Sequence, residues 1–192
     1  MGWEREGFES HVGTVGVLLA DGSEPRPVIF DMGSSSSFYE STSWWHYNGT
    51  GIRPTATSMR GRCACGWRAE RTYPIDWEQV RRDDDPDVYD TSGLYEDWAA
   101  QMEKVAARQV ALPEDMAGAL RQLRERLDEL VDGEPLVVLR AVGELEEVIT
   151  SSARYAARLI SLEDTPVPEV AEALGVTEKV ARSRLSRYEF LR

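Results

Sequence analysis

The chain is poor in several of the residues that most often carry chemistry. Its 192 residues include two cysteines (Cys63, Cys65), two histidines (His11, His46), two lysines (Lys104, Lys179) and one asparagine, Asn48. Two thiols one residue apart exclude a disulfide framework, because a bridge between them would be strained; reduced thiols and a reducing compartment are expected. No run of about 18 apolar residues occurs, which excludes a membrane-spanning helix. The opening MGWEREGFESH is charged and lacks the apolar stretch of a secretory leader, so a cytoplasmic protein with no membrane partner is expected. A serine-nucleophile motif, a phosphate-binding glycine loop, a His-Glu-x-x-His helix and a dinucleotide fingerprint are all missing. The two histidines fall in an expected strand and an expected loop, and the helical carboxylates fall on solvent-facing positions. The expectation is a protein that is not an enzyme, with no catalytic residue and no cofactor.

What is present is a core and a large negative charge. With 42% hydrophobic residues the chain buries enough surface for one large or two small domains, and its net charge is −12. An acidic body repels phosphate, which argues against indiscriminate nucleic-acid binding. The charge is uneven, however. Residues 76–112 carry ten acidic and four basic residues, and 113–164 carry twelve and six, whereas 165–192 carry four and five. The C-terminal segment is the least acidic part of the chain.

The first 80 residues read as a small antiparallel β domain. HVGTVGVLLA (11–20) and PVIF (27–30) are strand-like, and DGSEPRP between them is turn chemistry, which predicts a hairpin. A polar loop over 33–51 follows, interrupted by Phe38, Tyr39, Trp44, Trp45, His46 and Tyr47. Trp44, Trp45 and Tyr47 are candidates for a protein partner's contact surface, against the alternative that they pack into the domain's own core. Residues 57–77 read as two short strands with Cys-Ala-Cys-Gly-Trp at the turn. That turn resembles the knuckle of a zinc ribbon, but with one residue between the thiols where two are usual, and with no second cysteine pair. The spacing of His11 and His46 marks neither as a further ligand. Cys63 and Cys65 are the candidate metal ligands, and the expectation is that they are metal-free.

Residues 81–93, RRDDDPDVYDTSG, read as an acidic linker. Asp83, Asp84, Asp85 and Asp87 lack the glycine and twelfth-position glutamate of a calcium loop, so a solvated hinge is expected. Helical periodicity begins near Leu94, with Tyr95, Trp98, Met102, Val105 and Ala106 on one stripe. Met116, Leu120, Leu123, Leu127 and Leu130 then form a heptad seam. After the turn Asp132-Gly133-Glu134-Pro135 a longer helix aligns Val138, Val142, Leu145, Ile149, Ala156 and Leu159. Residues 94–164 are thus expected to form a helical hairpin bundle, its open seam covered by the Tyr95 helix, by the β domain or by a second copy in a homodimer.

The last segment, 165–192, carries the clearest functional pattern. In TPVPEVAEALGVTEKVARSRLSRY, Val170, Ala171 and Leu174 face inward on a first helix. Gly175 ends that helix, Val176 plugs the corner and Thr177 caps a second helix whose inner stripe is Val180, Ala181 and Leu185. The outer face carries Lys179, Arg182, Ser183, Ser186 and Arg187, side chains that suit phosphates and base edges in a major groove. This spacing resembles the helix-turn-helix of bacterial regulators and of the promoter-reading end of sigma factors. The resemblance implies double-stranded DNA as partner, with Thr177, Lys179, Arg182, Ser183, Ser186 and Arg187 as binding residues. Together with Cys-x-Cys-Gly-Trp-Arg, the acidic segment and a Tyr-x-x-Trp stretch, it is also similar to a set of actinobacterial proteins without established activity, in keeping with the preference for arginine over lysine. The expected whole is an α+β protein. A β domain (1–80), a linker (81–93), a helical bundle (94–164) and a helix-turn-helix (165–192) serve a transcription regulator or accessory factor, or alternatively a protein-interaction module.

Overall fold

The computed structural model describes residues 2–31 and 38–190. The serine run within the expected polar loop lies outside the described residues. The chain is α+β: antiparallel strands come first, and among the described residues six α-helices follow. It divides into two compact units, Met1–Ala107 and Arg108–Arg192.

In the first unit, β1 (Gly13–Leu18), β4 (Ser58–Cys63) and β5 (Tyr73–Pro74) form one antiparallel sheet in the order β1-β4-β5. A second sheet pairs β2 (Val28–Asp31) with β3 (Phe38–Ser41). The expected β1-β2 hairpin therefore does not form. Turn residues at 21–27 permit a reversal but do not choose a partner, and β1 finds its partner about 45 residues on, where Gly13 faces Cys63 and Leu18 faces Ser58. Strand β4 alternates strictly: Met59, Gly61 and Cys63 point inward and Arg60 and Arg62 outward.

A short helix α1 (Trp77–Asp83) is capped by the Asp76 carboxylate, which accepts from the Glu78 and Gln79 amides. Helix α2 (Ser92–Arg108) then packs back on the first unit, burying Leu94, Trp98 and Met102. Leu94 joins Val17, Val28, Trp44, Tyr47, Ala56 and Met59 in one core, and Trp98 and Met102 join Phe8 and Cys63 in another. The acidic segment 81–93 thus lies inside this unit and does not link a β domain to a helical one. The Leu94-Trp98-Met102 stripe is the cause, since its burial is available only against the sheet. Gly13 makes room for it: a Cβ there would fall 2.7 Å from the Trp98 ring, closer than any side chain tolerates.

The second unit holds α3 (Glu114–Val131), α4 (Pro135–Leu162), α5 (Val167–Leu174) and α6 (Glu178–Phe190). Helices α3 and α4 form the expected antiparallel pair, but two helices cannot enclose their own seam. Leu123, Leu127, Leu130, Val138, Val142 and Leu145 are only half-buried, while Met116, Leu120, Ile149 and Leu159 are exposed. Ala157, not Ala156, is the residue of α4 that is buried, and α4 packs against α6. No helix among the described residues is long and apolar enough to cross a membrane.

Candidate nucleic-acid interface

The α5-α6 corner is built as its residues dictate. Gly175 adopts φ +62°, a left-handed conformation that costs a residue without Cβ little. The chain then folds back: the Gly175 amide donates to the Glu172 carbonyl at 3.1 Å and the Val176 amide to that of Ala171 at 3.0 Å. Val170, Ala171, Val176 and Ala181 close a small core, with Ile160 of α4, Val167, Val180 and Leu185 packed around it. Leu174, expected inside, is 44% exposed. It occupies the last turn of an eight-residue helix, where the apolar stripe runs past the end of the packed surface.

Thr177 is buried, and its hydroxyl accepts the Val180 amide at 3.4 Å. It starts α6, as its place after Gly175-Val176 predicts, and its burial keeps it off the outward face, although the resemblance to regulators also implies it as a DNA-binding residue. That face carries the other five expected residues. Lys179, Ser183, Ser186 and Arg187 follow the i, i+4, i+7, i+8 spacing of a single helical stripe, with Arg182 on one flank, and all are exposed. Arg184, which the sequence reading left out, is exposed on the other flank. None of these cations forms an ion pair within 4 Å among the described residues, so their charge is not neutralised by the acidic helices of their own unit.

Two further features of this unit escaped the sequence reading. Arg154 and Arg158, one turn apart on α4, line a groove with Tyr155 and with Tyr188 of α6. Their spacing showed a shared helix face, but not that α6 packs beside it. The segment before α3 ties down the corner: the Val110 amide donates to Ala173 O at 3.0 Å, Gln109 Nε2 to Leu174 O at 3.3 Å, and Arg108 pairs with Glu172 at 3.6 Å.

No family model, curated protein or solved structure matches this chain.

The remaining expected site residues lie in the first unit. Trp44 and Tyr47 are core residues, 4% and 1% exposed, and so follow the second of the two alternatives, packing into their own unit instead of facing a partner; Trp45 is half-buried. Apolar area drives them inward, and the Tyr47 hydroxyl is provided for by the Arg26 and Ser41 carbonyls at 3.2 and 3.3 Å. Cys63 is buried and Cys65 exposed, and both are free. They are not alone, as the sequence reading had them: His11, also buried, brings Nδ1 to 3.7 Å from Cys63 Sγ. A shared hydrogen bond splits the two thiols. Donation from Cys63 lowers the Cys65 pKa and raises that of Cys63, with the His11 ring lowering Cys65 further and burial raising Cys63 further. His46 lies elsewhere, on Ser41 Oγ at 2.8 Å. Burial, and then the nearby Arg53 charge, lower its pKa.

Proposed function

We propose that the protein is a DNA-binding regulator or accessory factor in which α5 and α6 act as a helix-turn-helix and α6 reads the major groove. The observation that carries this reading is the outward stripe of α6. Lys179, Arg182, Ser183, Arg184, Ser186 and Arg187 stand exposed on a 13-residue helix and lack ion-pair partners among the described residues, in a chain of net charge −12. Unpaired cations keep their charge for phosphate, and serine and arginine suit base edges. The acidic remainder suppresses non-specific binding.

The reading includes a homodimer. One short helix beside an acidic body gives weak affinity at physiological salt, and two half-sites remedy this. The α3-α4 pair supplies the surface: Met116, Leu120 and Ile149, all seam residues, are each more than half exposed, and covering one such side chain contributes about 1.5–3 kcal/mol. Pairing two such hairpins makes a four-helix bundle.

The same apolar face favours the second reading, a protein-interaction module in which α3 and α4 dock a different protein and the α5-α6 corner only completes the fold. Titration of duplex DNA at several salt concentrations separates the two. Contact by α6 predicts binding that weakens steeply with salt, with a shallower slope in Lys179→Ala. Absence of binding even at low salt would leave the interaction module.

A further inference from the structure

We propose that His11, Cys63 and Cys65 form a zinc site in the first unit, with three protein ligands and a fourth, solvent-facing position left for water or an external ligand. The register of the sheet creates it. Gly13 pairs with Cys63, and the Ala64 amide donates to the Val12 carbonyl at 2.9 Å, carrying the ladder one residue further. That last bond brings His11, the residue before Val12, to the turn that carries Cys65. The three ligand atoms lie within 4.8 Å of one another. Tetrahedral zinc with ordinary bond lengths holds sulfur and nitrogen about 3.5 Å apart and two sulfurs about 3.8 Å apart. The 3.7 Å between His11 Nδ1 and Cys63 Sγ, a hydrogen-bond contact in the metal-free chain, is therefore also close to the separation that a shared metal requires.

Two further observations point to an ion. First, the His11 ring is 4% exposed and its Nε2 has no hydrogen-bond partner among the described residues, so the thiol sulfurs beside Nδ1 are the polar atoms left to account for burying the ring. Second, two thiolates and Zn²⁺ sum to zero charge, which suits an inner wall made of Phe8, Trp98 and Met102. Trp98 Nε1 donates to the His11 carbonyl at 3.2 Å, so α2 holds the histidine's backbone in position. The ion would tie the N-terminal segment to the β4 turn, and the exposed Cys65 marks the side on which the fourth position opens.

The test uses the full chain purified without chelator. We expect one equivalent of zinc per chain, protection of both thiols from a thiol reagent while zinc is bound, and a higher Tm with zinc than after chelation. Cobalt(II) in its place should give tetrahedral visible bands and thiolate charge-transfer absorption. Cys65→Ala, at an exposed position, should keep the fold by circular dichroism, lose part of the charge-transfer intensity and bind zinc at least about 100-fold more weakly, more than loss of an outer hydrogen-bonding partner costs. A chain that takes up no stoichiometric zinc at micromolar free metal would overturn the site. Wild-type zinc affinity in folded Cys65→Ala would do the same.

Discussion

Glu24 shows how single residues hold the loop-rich first unit together. Its carboxylate accepts from Arg60 at 2.6 Å and from Arg68 at 2.7 Å, tying the 21–27 loop to the β4 turn. Burial raises its pKa, but the Arg68 and Arg60 hydrogen bonds and charges outweigh that and leave it lowered. A carboxylate with a depressed folded pKa contributes stability that is present above its unfolded value of about 4.3 and is lost as pH falls through the lower folded value. Glu24→Gln should cost about 1 kcal/mol at neutral pH and flatten the fall in stability below about pH 4.5, measured by urea unfolding across pH. An unchanged midpoint at pH 7 would show the pair to be solvated decoration. Gly175 is the corresponding point in the second unit. Gly175→Ala should cost about 1–2 kcal/mol by forcing a Cβ into a left-handed conformation, and its methyl would displace Gln109 from the Leu174 carbonyl. Thermal unfolding of the variant checks both effects.

At the scale of elements, the helices were the legible part of the sequence. Periodicity locates α3 and α4, and Gly175 with Thr177 fixes the corner between α5 and α6, because helix stripes, caps and breaks are set by residues within a few positions of one another. Strand partners were not legible. Turn chemistry at 21–27 suggested a β1-β2 hairpin, but pairing is decided by burial across long separations, and β1 joined β4. His11 was unreadable as a neighbour of the thiols for the same reason: its proximity is a product of that register. Trp44 and Tyr47 were ambiguous because aromatic density in a loop looks alike whether it faces a partner or a core. The α3-α4 seam was legible as apolar, and its exposure gives it a testable role. Leu123→Asp should convert a dimer to monomer in sedimentation analysis while α5 and α6 remain folded. A wild-type chain that sediments as a monomer at tens of micromolar would remove the dimer from the account.

For the whole molecule, the proposed function has an acidic chain that exposes one basic helix stripe bind chosen DNA sites and reject the rest. Arg182→Ala should cost about 1–3 kcal/mol at a selected site if its guanidinium pairs with a base, a loss specific to that sequence, whereas loss of a phosphate contact by Lys179→Ala should weaken all sequences alike. The most direct test is selection from random duplexes by the full chain at low and physiological salt, with an Arg182→Ala, Arg187→Ala double variant as control. The account predicts enrichment of a palindrome whose half-sites lie about one helical turn apart, lost in the double variant. No enrichment at either salt concentration, or the same sequences enriched by the double variant, would contradict it.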